Sequence, residues 1–200
     1  MMQAEAIKEQ VVQYSKQAFA QKLFAGTSGN LSVYVREEDK MYITPSGIRY
    51  ETMTPSDVMV IRLSGEILEG VHKPSTEWRL HASAYAAYPE VGAVVHTHSP
   101  FATAYAVNRE PIPPTLTEMF AFLGGAVECA AFASPGTPEV GEYAVPLLKG
   151  KGGCLLANHG VIAIGHDMAQ AYIRAEYIED AAKVYSIAKT VGSPVVLSGI

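Results

Sequence analysis

The stretch Val94-Val95-His96-Thr97-His98-Ser99-Pro100 combines the apolar pattern of a buried strand with two histidines one residue apart. Side chains two positions apart in a β-strand point to the same face, so His96 and His98 are predicted to project together from the end of this strand. A neutral imidazole is the commonest protein ligand for zinc-like metals. Because two ligands do not make a site, the pattern indicates either half of a metal site or a hydrogen-bonded pair of histidines.

The bulk composition describes a soluble globular protein. The chain has 200 residues, of which 48% are hydrophobic and 18% charged, with a net charge of −5. This charge argues against non-specific nucleic-acid binding, which needs a basic face. No apolar run approaches the roughly 18–20 residues that span a bilayer, and no signal peptide is visible, so we expect a cytoplasmic protein without a membrane partner. Two cysteines, Cys129 and Cys154, lie in apolar surroundings and are predicted to be buried free thiols. His72 and His166 fall in turns and are predicted to be solvent-exposed.

Helical and strand-like segments alternate along the chain, which predicts one α/β domain over residues 1–200. The predicted helices cover about 4–23, 77–88, 100–107, 138–148 and 167–190. The predicted strands cover 31–35, 41–44, 58–63, 93–98, 127–132, 154–158 and 161–164. Between them, 117–125 suggests a short helix that ends at Gly124-Gly125.

A third histidine follows a second buried strand, in the stretch Leu155–Val161. His159 stands beside Gly160, a residue that permits the backbone to turn sharply. A lone histidine here is either a satisfied core residue or the missing partner of the first two. Glu77 begins a predicted helix, where a carboxylate is either a metal ligand or simply favourable beside the helix dipole. His81 lies four residues later on the same helix face and could be a ligand instead.

Three turns of small polar residues can present N–H groups and hydroxyls to an anion. They are 26–30, 44–47 and 73–76, and the last precedes a predicted helix N-terminus, which is a natural phosphate site. None has the spacing of a Walker loop or a dinucleotide fingerprint. Each is either an ordinary turn or part of an anion site.

Five ordered motifs give the chain a resemblance to a known family. They are Gly-Thr-Ser-Gly-Asn-Leu-Ser at 26–32, Ile-Thr-Pro-Ser-Gly at 43–47, Pro-Ser-Thr-Glu-Trp-Arg-Leu-His at 74–81, His-Thr-His-Ser at 96–99 and Asn-His-Gly at 158–160. Their order and spacing resemble the class II aldolase/adducin family, most closely its L-fuculose-1-phosphate aldolase branch, over nearly the whole chain.

The resemblance implies a three-layer α/β/α fold with a mixed, largely antiparallel sheet. It also implies a homotetramer with active sites between subunits and a bound divalent ion, Zn²⁺ or another such as Mn²⁺. The implied metal ligands are Glu77, His96, His98 and His159. The residues implied to bind the substrate phosphate are Thr27, Gly29, Asn30, Ser46, Gly47, Ser75 and Thr76. His81 is then left to packing or to a supporting position behind the ligands.

The activity implied by the resemblance is the retro-aldol cleavage of a ketose 1-phosphate into dihydroxyacetone phosphate and an aldehyde. A Lewis acid would stabilise the enediolate, and Glu77 would leave the metal to move a proton at C1 of the three-carbon fragment. The family's tyrosine proton donor has no counterpart from 106 to 142, so Glu118 is the predicted substitute, provided that burial keeps its carboxyl protonated. Phe120 and Phe122 suggest a less polar aldehyde pocket, as for a 5-deoxy or methylthio sugar.

Two other functions stay open within the same family. A pentulose-5-phosphate 4-epimerase uses the same cleavage and re-addition, but such epimerases typically carry aspartate at the position of Glu77. A non-catalytic interaction module like the adducin head keeps the fold, although the presence of all four ligand positions argues against it.

Overall fold

The computed structural model describes residues 2–198, with five α-helices and eight β-strands. The helices are α1 (Met2–Ala20), α2 (Trp78–Ala87), α3 (Pro100–Asn108), α4 (Pro138–Ala144) and α5 (Met168–Val191). The strands are β1 (Asn30–Val35), β2 (Lys40–Ile43), β3 (Met59–Ile61), β4 (Ile67–Glu69), β5 (Ala93–Thr97), β6 (Cys129–Ala130), β7 (Gly153–Leu156) and β8 (Gly160–Gly165).

All eight strands form one mixed sheet in the order β4-β3-β2-β1-β5-β8-β7-β6. Every neighbouring pair is antiparallel except β6 and β7, which run parallel. Strand β5 lies between β1 and β8, with His96 opposite Asn30 on one side and opposite Ile162 on the other. The histidine stretch therefore occupies the middle of the sheet.

Helices cover both faces of the sheet. One hydrophobic core joins residues of α1, α3 and α5 to the sheet, for example Val11, Tyr105 and Ala175 against Val95. The other joins α2 and α4 to the opposite face, where Leu80 packs in the same cluster as Val94, Ile162 and Val140. Since successive strand residues face opposite cores, β5, β7 and β8 are buried along their whole length and are mostly apolar. The predicted three-layer α/β/α fold with a largely antiparallel sheet is confirmed.

Several predicted elements differ in extent from the observed ones. The strand expected over 127–132 is reduced to Cys129–Ala130, and the helix expected over 138–148 changes to a 3₁₀-helix at Val145–Leu148, where Pro146 cannot continue the α-helical hydrogen bonding. The region 117–125, where a short helix ending at Gly124-Gly125 was predicted, contains a π-helix at Met119–Leu123. This helix ends at Gly124, which adopts the left-handed conformation. Strand β4 was not predicted, because its three residues are exposed and show no alternation.

The remaining single-residue predictions are largely confirmed. Cys129 and Cys154 are free thiols, and Cys154 is buried as predicted, whereas Cys129 is only half-buried. His166 is exposed, whereas the prediction for His72 was wrong, since only 30% of its side chain is accessible and its Nε2 lies 2.8 Å from Asp57 Oδ1. None of the described helices has the length and apolar character needed to cross a bilayer.

Asp57 anchors the segment that leads into α2. Its carboxylate accepts hydrogen bonds from the backbone N–H and the hydroxyl of Thr54, at 2.8 and 2.7 Å, and it contacts His72. The hydrogen bond from Thr54 lowers the pKa of Asp57, burial opposes this, and His72 lowers it further. Folding therefore favours the ionised carboxylate.

Low pH should weaken the hydrogen bonds that the Asp57 carboxylate accepts. Because the folded pKa lies below the ordinary 3.8, the contribution of Asp57 to stability is complete above that pH and is lost as the pH falls through the folded value. The urea midpoint of Asp57→Asn should lie below that of the wild type at neutral pH, and the difference should shrink below about pH 4. Parallel curves over the whole pH range would contradict this role.

Candidate metal centre and adjoining cavity

Four potential metal ligands meet where β5, the β7–β8 connection and α2 converge. They are Glu77, His96, His98 and His159, and one ligand atom from each lies within 4.8 Å of all the others. His96 Nε2 is 2.7 Å from Glu77 Oε2 and 2.9 Å from His98 Nε2, while His159 Nε2 is 3.2 Å from Glu77 Oε1. A tetrahedral zinc ion with bonds of about 2.0–2.1 Å needs ligand atoms about 3.4 Å apart, so the cluster has a suitable size.

A hydrogen bond determines which ring nitrogen of His96 faces the cluster, and two buried polar atoms of the cluster have no hydrogen-bond partner. His96 Nδ1 donates to the carbonyl of Val161 at 2.8 Å, which leaves Nε2 as the lone-pair atom facing the other ligands. Glu77 Oε1 and His159 Nδ1 are buried without a hydrogen-bond partner. A buried carboxylate oxygen that lacks a donor is costly, and a cation would satisfy it.

The charge states of the cluster also suit a divalent ion. Burial, together with the neighbouring imidazoles of His96 and His159, lowers the pKa of His98 to about 3. Burial alone would raise the pKa of Glu77, but the imidazoles of His96 and His159 outweigh it and lower that pKa well below its ordinary range. A neutral imidazole beside an ionised carboxylate is the state that a metal requires.

The residue before His159 has an unusual backbone conformation. Asn158, not Gly160, adopts the left-handed conformation, with φ of 56°. Arg109 donates two hydrogen bonds of 3.3 Å to its Oδ1. Gly160 was predicted to permit a sharp turn, but its role is a different one. A Cβ at this position would lie 2.2 Å from the Thr97 carbonyl oxygen, so only glycine fits beside β5. Together these residues fix where His159 enters the cluster.

A polar cavity of about 340 Å³ opens beside the four-residue cluster. All seven residues predicted to bind phosphate line it, as do Glu77, His98 and His159. Ser28 and Pro45, which lie in the predicted turns 26–30 and 44–47, line it as well, and so does Pro135, which was missed. Pro135 carried no signal in the sequence, because it belongs to a loop distant from the other motifs.

Backbone contacts join two of the three predicted turns, 44–47 and 73–76. Ser46 N–H donates to the Lys73 carbonyl at 2.8 Å, and Ser75 N–H donates to the Thr44 carbonyl at 3.0 Å. Gly29 has φ of 89°, and a Cβ there would lie 2.3 Å from the Phe24 ring, so the first turn requires glycine. Ser75 and Thr76 lie immediately before α2, whose N-terminus favours an anion.

Two further predicted residues lie elsewhere. His81 is fully buried on α2 and contacts Asn30 and Ser32, so it is not among the four clustered residues. Glu118 is exposed, accepts a hydrogen bond from the Thr117 hydroxyl at 3.0 Å, and does not line the cavity. The described chain alone therefore does not bring Glu118 to the cluster.

Replacing Asn158 should test whether its backbone conformation supports the cluster. Asn158→Ala and Asn158→Gly both lose the contact with Arg109, but only alanine resists a positive φ, at a cost of about 1–2 kcal/mol. We expect the alanine variant to have the lower urea midpoint and, by isothermal titration, the weaker Zn²⁺ affinity. Equal values for the two variants would show that the conformation is unimportant.

Comparisons with known proteins agree with this architecture. A family model described as the class II aldolase and adducin N-terminal domain matches residues 9–186. A 5-deoxy-D-ribulose 1-phosphate aldolase from Bacillus thuringiensis serovar kurstaki is 36% identical over 190 residues, which cover 95% of this chain and 89% of that protein. A 5-methylthioribulose-1-phosphate/5-deoxyribulose-1-phosphate aldolase from Rhodospirillum rubrum is 38% identical over 193 residues, covering 96% and 86%.

A solved structure shares the fold over nearly its full length. An L-fuculose 1-phosphate aldolase superposes with a TM-score of 0.92 and 38% identity, covering 96% of this chain and 91% of that one. The family match, the relatives and the shared fold all lead to the same assignment. The chain belongs to the class II aldolase and adducin N-terminal domain family.

Proposed function

We propose that this protein is a metal-dependent aldolase that cleaves a ketose 1-phosphate into dihydroxyacetone phosphate and an aldehyde. The observation that carries the proposal is the four-residue cluster, which opens directly onto the polar cavity beside the N-terminus of α2. A reactive centre and an anion site share one cavity, as a phosphorylated substrate would require. The relatives named for 5-deoxyribulose and methylthioribulose 1-phosphates make a 5-deoxy or methylthio pentulose 1-phosphate the first substrate to test.

Glu77, His96, His98 and His159 would hold one divalent ion, for which we propose Zn²⁺. When bound, the ion supplies a Lewis acid for the negative charge that develops on the three-carbon fragment. Three neutral imidazoles leave most of its positive charge available. We infer a cytoplasmic enzyme whose residues 1–200 act as one domain.

The residues that line the cavity would have two roles, which are to hold the phosphate and to transfer a proton. The hydroxyls and backbone of the three turns, from Thr27 to Thr76, would hold the phosphate and so place the C3–C4 bond beside the cluster. Glu77, displaced by the incoming substrate, would act as the base and acid. As the C3–C4 bond breaks, its electron pair stays with the three-carbon fragment. Glu77, protonated by solvent once it is displaced, would deliver a proton to the hydroxymethyl carbon, formerly C3, and the proton lost from the C4 hydroxyl to solvent balances this transfer.

The aldehyde side needs a residue from another copy of the chain. Cleavage requires removal of the proton from the C4 hydroxyl, and Glu118 does not reach the cavity of its own chain. We propose that Glu118 of one subunit completes the site of its neighbour in a homotetramer. Contact with the neighbour would also remove the exposed Glu118 carboxylate from bulk water.

Metal analysis and a product assay test the proposed activity. The purified protein should carry about one divalent ion per chain, and His98→Ala should lose it together with about 10²–10³-fold in kcat. The exposed residue His166 offers a matched control, since His166→Ala should keep both. The assay measures dihydroxyacetone phosphate released from a panel of ketose 1-phosphates, with L-ribulose 5-phosphate epimerisation measured in parallel.

Each outcome of that panel has a defined meaning. Release of dihydroxyacetone phosphate supports the aldolase, whereas epimerisation without release would replace it with the epimerase. Wild-type protein that carries no ion and gains no activity on addition of Zn²⁺ or Mn²⁺ would contradict both and favour an interaction module.

Mixed oligomers test the placement of Glu118. Glu77→Gln and Glu118→Gln should each be nearly inactive alone, yet equal co-expression should restore about a quarter of wild-type activity, since a site between subunits has one chance in four of receiving both intact residues. Absence of recovery would place both residues in one chain. Full activity of Glu118→Gln alone would remove Glu118 from the reaction.

A further inference from the structure

A chain of buried polar side chains runs from the second core to Glu77. The Tyr85 hydroxyl lies 2.7 Å from Ser32 Oγ, which lies 2.6 Å from His81 Nδ1. His81 Nε2 in turn lies 2.5 Å from Asn30 Oδ1, and Asn30 Nδ2 donates to Glu77 Oε2 at 3.5 Å. Ser32, His81 and Tyr85 are fully buried, and Asn30 is only 5% exposed. These five residues, from Tyr85 to Glu77, form what we call the buried relay.

The Glu77 end sets the direction of the donors and acceptors in the buried relay, because the Tyr85 hydroxyl at the other end can donate either to Ser32 Oγ or to the Ser32 carbonyl, 2.9 Å away. The ionised Glu77 carboxylate can only accept, so the NH₂ group of Asn30 must face it and the amide oxygen must face His81. His81 then carries its proton on Nε2 and accepts at Nδ1, to which the Ser32 hydroxyl donates. Burial lowers the pKa of His81 to about 3, so the ring is neutral, as this arrangement requires.

The relay lies beside buried apolar side chains. Its neighbours on α2, Leu80 and Ala84, belong to the hydrophobic core on the same face of the sheet. A satisfied hydrogen bond adds little net stability, so stability alone gives no reason for a histidine here. An imidazole differs from an apolar side chain because its Nε2–H can donate a hydrogen bond to the side-chain amide of Asn30, which could otherwise rotate by 180°.

We propose that His81 is a positioning residue that holds the amide of Asn30 with its NH₂ group toward Glu77 and the cavity. The inference rests on the proposed function, in which Glu77 is the acid and base. A rotated amide would present its oxygen to the carboxylate and repel it. The Nε2–H of His81 excludes that orientation, because the rotated NH₂ group would meet a donor instead of an acceptor.

The tautomer of His81 tests this orientation without any substrate. In ¹⁵N-labelled protein, a long-range ¹H–¹⁵N correlation spectrum at pH 7 should show one neutral imidazole protonated at Nε2, identified by its disappearance in His81→Gln. An Nδ1–H tautomer or an imidazolium ring would overturn the proposal. This readout holds whether or not the protein is an aldolase.

Kinetics at full metal content test the consequence. His81→Leu should keep its divalent ion and lose about 10–100-fold in kcat, with a smaller change in KM. His81→Gln, whose amide N–H can still reach Asn30, should recover most of the loss. Leu80→Ala is the matched control, because it removes buried volume from the same helix without touching the relay and should keep kcat within about twofold.

A purely structural role for His81 predicts a different pattern. It would lower the urea midpoints of His81→Leu and Leu80→Ala alike and leave kcat of the metal-loaded His81→Leu protein near that of the wild type, which would overturn the proposal. If His81→Leu does not fold, His81→Met carries the same test, since methionine fills irregular space and also lacks an N–H. A wild type without aldolase activity would remove only the kinetic test and leave the tautomer test intact.

Discussion

The burial of one carboxylate is the constraint on which the rest of the site depends. Glu77 is only 6% exposed, and withdrawing an ionised carboxylate from water costs several kcal/mol unless partners replace the lost hydration. The side-chain N–H of Asn30 and the N-terminus of α2 replace part of it. Oε1 remains without a hydrogen-bond donor. The proposed divalent ion supplies what this oxygen lacks, so the fold and the metal would depend on each other.

The register of three adjacent strands assembles these partners. Pairing β1 with β5 sets Asn30 opposite His96, and pairing β5 with β8 sets Thr97 opposite Val161. The second pairing brings the β7–β8 connection, and with it His159, to the edge where β5 ends. A shift of one residue would turn His96 toward the opposite core, because side chains alternate between faces. The hydrophobic pattern that fixes the register therefore also fixes the geometry of the four-residue cluster.

Local patterns in the sequence predicted much of this arrangement. The alternation of side chains along a strand predicted that His96 and His98 lie close together. The resemblance carried by the five motifs predicted that Glu77, His159 and the three turns belong to the same site. Other features depend on contacts between distant segments. The left-handed conformation at Asn158, the close approach at Gly160 and the position of Pro135 all follow from tertiary packing, so no spacing rule reveals them. The π-helix before Gly124 likewise has no periodic signature.

The cavity is complete on one side only, and this asymmetry limits what the motifs can specify. Its walls come from the turns around Gly29, Gly47 and Thr76 and from the clustered ligands, all within one chain. These groups are suited to a phosphate and a reacting carbon, which every substrate of this reaction class shares. The aldehyde varies between substrates, and no acid or base of the described chain lines the cavity beyond Glu77 and the histidines. A surface between subunits, as proposed for Glu118, would be free to vary without disturbing the buried carboxylate, so the motifs identify the reaction more closely than the sugar.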